Sequence, residues 1–231
     1  MNLNYSQADY VFDVVKEQIF SEDAVKIIRS LLAVQNIYLS ATREIETKLE
    51  NLNDEFKYTM DRNPIHQIKT RVKTPDSIVE KLSRKGYEIS VESARKNLND
   101  IAGVRVICSY INDIYMIADL LTSQDDIQLL KTTDYIENPK PNGYRSLHLI
   151  VTVLVFLSKK KERVKAEIQI RTIAMDFWAS LEHELAYKIR NASHHEISAE
   201  LKSCADVIAS TDLRMQKLYN RMRGLSSNPA R

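Results

Sequence analysis

Residues 149–157 read Leu-Ile-Val-Thr-Val-Leu-Val-Phe-Leu, an apolar run interrupted only by Thr152. A membrane-spanning helix needs about 20 such residues. A shorter run rich in branched side chains and bounded by turn signals is a buried strand. The signals are present on both sides, as Asn138-Pro139-Lys140-Pro141-Asn142-Gly143 before it and the charged stretch 159–163 after it. A sheet must therefore lie near the middle of this chain, and other segments must supply its neighbours.

Those neighbours are legible. Residues 164–171 alternate strictly, 103–110 and 127–131 are rich in apolar residues, and Ile65, Ile68 and Val72 mark an extended stretch. Helices surround them. Ser21-Glu22-Asp23 is a hydroxyl cap with first-turn acids, and the apolar positions Ile27, Ile28, Leu31, Leu32, Val34, Ile37, Leu39, Ile45 and Leu49 follow near the helical period. Thr74-Pro75-Asp76 opens a short helix that Gly86 closes, and Ser90 caps another that runs to Leu98. Helices are also expected over 111–121, 174–190 and 198–222.

The fold class is thus α+β: a mixed sheet of about five strands flanked by helices, with helical arms at both ends as candidate oligomer surfaces. The expected organisation is one domain over 1–223, with an arm over 1–60, a core over 61–190, a C-terminal helix over 198–222 and a disordered tail over 224–231.

Charge excludes some functions. The chain has 33 basic and 31 acidic residues, a net of +2, so no global field favours nucleic acid or membrane and any polyanion site is local. Cys108 and Cys204 are far apart and form no Cys-x-x-Cys pair, which argues against a disulfide framework or zinc ribbon. Residues 1–10 lack the regions of a signal peptide. A cytoplasmic protein that needs neither membrane nor nucleic acid is expected.

Several segments carry chemistry. Alternation places Glu167, Gln169 and Arg171 on one face of a strand, and Asp100 directly precedes another strand, where two carboxylates can meet around an oxygen-seeking cation. Ser77, Lys81 and Arg84 line one face of the helix that starts at Pro75, with Arg71 and Lys73 just before it. Basic groups around a helix start make a phosphate cradle, although pattern alone does not separate this from a solvated charged face. Strand alternation would put Tyr144, Ser146 and His148 together, with the tyrosine free to stack on a base or to pack in the core. Phe177, Trp178, Leu181 and Leu185 are expected in the core, with Asp176 and His183 near another face. Glu182-His183-Glu184 and His194-His195 lack the His-Glu-x-x-His spacing of a metal site.

Taken in order, Arg71-Val-Lys73 with Ser77 and Lys81, Asp100-Ile-Ala-Gly-Val-Arg105, Asn142-Gly-Tyr144-Arg-Ser-Leu-His148, Glu167-Ile-Gln169-Ile-Arg171-Thr and Phe177-Trp178-Ala-Ser-Leu-Glu182-His183 resemble the RelA/SpoT alarmone synthetases, most closely the stand-alone small synthetases of the RelP type. The resemblance implies a nucleotidyltransferase-like synthetase domain that transfers the β,γ-pyrophosphoryl group of ATP to the 3′-hydroxyl of GDP or GTP, giving ppGpp or pppGpp and AMP. It implies Arg71 and Arg105 on either side of adenine, and Lys73, Ser77, Lys81 and Arg84 on the ATP phosphates. Asp100 and Glu167 would hold Mg2+, with Glu167 also the base for the acceptor hydroxyl. On the acceptor side it implies Tyr144 stacked on guanine, His148 and Gln169 nearby, and Asp176 accepting from the guanine N–H edge. A homotetramer is likewise implied. The hydrolase of longer relatives uses a His-Asp pair, and no His-Asp dipeptide occurs in this sequence, so synthesis without hydrolysis is expected. Nucleotidyl transfer to another acceptor, and binding of guanine nucleotides or single-stranded RNA without catalysis, would use similar residue types.

Overall fold

The computed structural model describes residues 22–188 and 194–224. Contacts divide them into two compact units, one from residues 22–37 and 73–98 and a larger one from the described residues of 38–72 and 99–224. The first helix, α1 (Glu22–Thr59), contributes to both.

In the smaller unit, α2 (Pro75–Arg84) begins as its sequence dictates. Thr74 has extended backbone and its hydroxyl accepts from the Ser77 amide, with proline in the first turn. Ile78 and Leu82, one turn apart, are buried. The Lys85 amide donates back into the last turn, and Gly86 leaves the helix at φ +69°, where a side chain would be strained. Ser90 caps α3 (Val91–Asn97) through the Ser93 amide at 3.1 Å.

The larger unit is built on five strands: β1 (Ile65–Val72), β2 (Ala102–Cys108), β3 (Ile127–Asp134), β4 (Leu147–Phe156) and β5 (Lys161–Thr172). Their order is β1-β2-β5-β4-β3. Only β2 and β5 pair in parallel; the other neighbours are antiparallel, so the sheet is mixed as expected. Directly paired residues share a face. Val104, Ile168 and Leu149 form one such row, Val106 pairs with Ile170, and all are buried. Helix α4 (Ile111–Thr122) packs on β2, β3 and β5 and buries Ile114, Ile117 and Leu121. Helix α5 (Ile173–Lys188) packs on β2 and β5 and against α6 (His194–Met222). The part of α1 in this unit buries Tyr38, Ala41, Ile45 and Leu49 at helical spacing.

Two expectations change. Trp178 is buried and its indole donates to the Leu201 carbonyl at 2.8 Å, but Phe177 is 58% exposed and Leu181 and Leu185 are also exposed. With Ile173, likewise exposed, these three residues recur every fourth position and form an apolar stripe that is exposed among the described residues. In addition, β4 starts at Leu147 rather than at Tyr144. The Ser146 hydroxyl donates to the Ile170 carbonyl at 3.2 Å and is fully buried, yet it also bonds the Tyr144 hydroxyl, so Tyr144, Ser146 and His148 come together as expected although the first two precede the strand. Among the described residues no helix is long and apolar enough to cross a membrane. The tail beyond Gly224 and the side chains of His194 and His195 lie outside the described residues.

Candidate active site

The face of the sheet opposite the Val104–Ile168–Leu149 row carries the polar residues, and strand register sets their order. Arg71 pairs with Gly103 and Gly103 with Glu167, while Lys69 pairs with Arg105, Arg105 with Gln169 and Gln169 with His148. Two adjacent rows thus cross the sheet with guanidinium and ammonium groups at the β1 end and a carboxylate, an amide and an imidazole toward β4. Between them lies a cavity of about 260 Å3 lined by Lys69, Thr70, Arg71, Asp100, Gly103, Val104, Arg105, Glu167 and Gln169. Gly103 forms part of its floor. The aliphatic part of Arg71 lies over it, at 3.5 Å from where a Cβ would stand, an ordinary packing distance.

Asp100 and Glu167, 67 positions apart in sequence, both line this cavity, and the Asp100 charge is felt at the Glu167 carboxyl. Burial by itself would raise the pKa of Glu167, as would Asp100. The hydrogen bond and charge of His148 and the amide of Gln169 outweigh them, and the carboxyl lies below its ordinary range. Glu167 is therefore held as an anion.

Its partners are closely specified. Gln169 Nε2 donates to Glu167 Oε2 at 2.8 Å, and His148 Nδ1 lies 3.3 Å from Oε1. The other imidazole nitrogen is 2.8 Å from the Tyr144 hydroxyl. Arg171 Nη2 donates to both the Tyr144 hydroxyl and Gln169 Oε1, each at 2.8 Å. Arg171 Nη1 and Arg105 Nη1 share Asp176 Oδ1 at 3.3 Å, with Lys69 Nζ 3.6 Å from Oδ2. Asp176, buried in the first turn of α5, thereby connects three strands.

Tyr144 is presented by the loop between β3 and β4, where the Gly143 amide closes a tight turn on the Lys140 carbonyl at 2.8 Å and Gly143 has φ +89°. A Cβ on Gly143 would come within 2.5 Å of Ala205 Cβ, so both conformation and space require glycine here. Lys140 Nζ lies over the rings of Tyr135 and Tyr144, at 4.7 and 4.8 Å from their centroids.

Of the residues expected from sequence, Arg71, Asp100, Arg105, Glu167 and Gln169 line one cavity, and Tyr144, His148 and Asp176 join it through hydrogen bonds and ion pairs. Lys73, Ser77, Lys81 and Arg84 belong to the smaller unit, on or just before α2, where Ser77 is exposed and its amide occupies the Thr74 cap. Arg171, Gly103, Lys69 and Lys140 also belong to the site's surroundings. Alternation already sets Arg171 beside Gln169, but not that its guanidinium reaches Tyr144 and Asp176. The pairing of Lys69 with Arg105 needs the strand register.

A family model described as the region found in RelA/SpoT proteins matches residues 70–192. The GTP pyrophosphokinase YwaC of Bacillus subtilis (strain 168) is 48% identical over 179 residues, 78% of this chain and 85% of that protein. The crystal structure of small alarmone synthetase 1 from Bacillus subtilis bound to its product pppGpp has a TM-score of 0.77 at 31% identity, covering 84% of this chain and 99% of that one. With AMPCPP bound, the same enzyme gives a TM-score of 0.72 at 28% identity, covering 85% and 99%. On the matched region and the extent of these likenesses, the chain belongs to the RelA/SpoT family.

Proposed function

We propose that this protein is an alarmone synthetase that moves the β,γ-pyrophosphoryl group of ATP to the 3′-hydroxyl of GDP or GTP, releasing AMP, with no hydrolase activity. One observation carries the reading: two carboxylates remote in sequence line one cavity beside Arg71 and Arg105, on a chain whose relatives are GTP pyrophosphokinases.

In this reaction the acceptor 3′-oxygen bonds to the β-phosphorus, the bond from that phosphorus to the α,β-bridging oxygen breaks, and AMP leaves with that oxygen. Such transfers depend on alignment and on neutralising phosphate oxygens rather than on a covalent nucleophile. Glu167, kept anionic, takes the hydroxyl proton. Arg71 and Arg105 flank adenine, and Lys73, Ser77, Lys81 and Arg84 are assigned to the ATP phosphates on the motif they share with the family. Tyr144 stacks on guanine with His148 and Gln169 beside the acceptor ribose. Asp176 accepts from the guanine N–H edge, since a carboxylate offers about four lone-pair sites and adenine presents no matching donors.

The donor set suits Mg2+. Among the described residues no group of three or more His, Cys, Asp or Glu side chains forms an all-protein cage, and Mg2+ is commonly held by one or two carboxylates together with substrate phosphates. Asp100 and Glu167 would hold it, where it would neutralise phosphate oxygens and ease loss of the hydroxyl proton.

The apolar stripe Ile173, Phe177, Leu181 and Leu185 supports assembly as a homotetramer, because an uncovered apolar helix face is stabilised by contact with a like face. A cytoplasmic location accords with these nucleotide substrates.

The test is to incubate the protein with Mg2+, ATP and, separately, GMP, GDP or GTP. AMP together with a 3′-pyrophosphorylated guanine nucleotide is expected. Release of pyrophosphate with AMP joined to the acceptor would identify nucleotidyl transfer instead.

A further inference from the structure

Two hydrogen-bonded paths leave one nitrogen of Arg171 and end on the two oxygens of Glu167. One runs from Nη2 to Gln169 Oε1 and from Gln169 Nε2 to Glu167 Oε2, every step at 2.8 Å. The other runs from Nη2 to the Tyr144 hydroxyl at 2.8 Å, on to His148 Nε2 at 2.8 Å, and from His148 Nδ1 to Glu167 Oε1 at 3.3 Å.

A guanidinium nitrogen can only donate, and Nη2 has two hydrogens. Both are used here. Their targets must therefore be acceptors, and with the Glu167 carboxylate accepting at the far end both paths have one direction. The Gln169 amide has to turn its oxygen to Arg171 and its NH2 to Glu167. The Glu167 carboxylate can only accept, so His148 Nδ1 carries a proton, and Nε2 of the neutral ring accepts from the Tyr144 hydroxyl, whose oxygen in turn accepts from Arg171. A neutral imidazole accepting at Nε2 must carry its proton on Nδ1, and Nδ1 faces Glu167. Each carboxylate oxygen thus receives one N–H and keeps a lone pair open.

We propose that Arg171 is a positioning residue that sets the polarity of both paths, and that the Tyr144 hydroxyl, separately from the ring, holds His148 in the Nδ1–H form that orients Glu167. This rests on the role assigned to Glu167 above. It divides one side chain into two functions: the ring for the acceptor base, the hydroxyl for the carboxylate. Removing an outer partner of this kind lowers activity by about 10- to 100-fold in comparable sites.

The decisive variant is Y144F, which keeps the ring. Its kcat is expected to fall about tenfold with the acceptor KM within about twofold of wild type. R171K retains the charge but not the planar donor, breaks both paths, and is expected to lose about 100-fold in kcat. The side-chain 15N shifts of His148 should report an Nδ1–H ring in the wild type and a shift toward Nε2–H in Y144F. The proposal is overturned if Y144F keeps kcat within about threefold, if its loss is confined to acceptor KM, or if the His148 tautomer is unchanged. Should R171K fail to fold, Y144F decides alone. A wild type that makes no 3′-pyrophosphorylated product would reject the proposed function, while the tautomer measurement would still test the hydrogen-bond circuit.

Discussion

Arg171 and Arg62 are surrounded by the same residue types and do different work. Arg62 gives Nη1 and Nη2 to the two oxygens of Asp113, at 2.8 and 2.6 Å, and its guanidinium carbon sits 4.6 and 4.4 Å from the ring centroids of Tyr110 and Tyr219. Asp113 also accepts from the Tyr110 amide at 3.0 Å. Both oxygens of the carboxylate are occupied, so the cluster is a closed staple joining the segment before β1, the start of α4 and the end of α6. Arg171 distributes its bonds over Tyr144, Gln169 and Asp176, and these lead to a carboxylate that borders a cavity. An arginine with a carboxylate and tyrosines therefore does not signify function by composition. What distinguishes a site is hydrogen-bonding capacity left open toward a space that a ligand can enter.

The largest effect that would sharpen this contrast is on the open side. E167Q is expected to lower the rate of transfer by at least about 1000-fold while leaving the unfolding midpoint nearly unchanged, as measured by product formation and thermal melting. The staple should behave in the opposite way. R62M leaves Asp113 buried without its guanidinium and is expected to lower stability by about 3 kcal/mol in denaturant titrations, with kcat of the folded protein within about twofold. If R62M instead lost activity at full stability, the division between staple and site would fail.

A smaller effect separates ring from hydroxyl. Y144A should add to the kcat loss of Y144F a rise of about tenfold in acceptor KM, with ATP KM little changed, since base stacking on an aromatic ring contributes about 1–3 kcal/mol. Equal losses for donor and acceptor would argue against stacking.

The smallest effect concerns Asp212 on α6, buried and accepting from the Thr172 hydroxyl at 2.5 Å. Burial raises its pKa even though Thr172 opposes the shift. A raised carboxyl binds its proton more tightly when folded. Its contribution is therefore greatest below the unfolded value of about 3.9 and is lost as pH rises from there through the folded value. D212N should accordingly stabilise the protein at pH 7 by about 1 kcal/mol or less, with the gain vanishing near pH 3. A gain independent of pH would assign it to packing instead.

The site was partly legible in advance because a strand's period is local. Alternation alone places Glu167, Gln169 and Arg171 on one face, and the structure keeps them there. One strand away the same reasoning gathers the right side chains, Tyr144, Ser146 and His148, but misplaces the start of the strand. Residues 144–146 precede β4, and Ser146 turns its hydroxyl to the Ile170 carbonyl, a partner that exists only once β5 is in place. On α5 the helical period locates the apolar residues but not their surroundings: Trp178 meets α6, whereas Phe177, three positions before Ser180 and one before Trp178, faces outward.

The amino-acid sequence by itself determined the kind and order of the elements, the caps of α2 and α3, and which side chains each strand presents together. These follow from hydrogen bonding and periodicity within a few residues. Tertiary structure decided that Asp100 and Glu167 line one cavity, that Arg71 lies over Gly103, and that Arg171 governs two paths to one carboxylate. Those relations depend on strand order and register, which are fixed only when the whole sheet buries its apolar face at once.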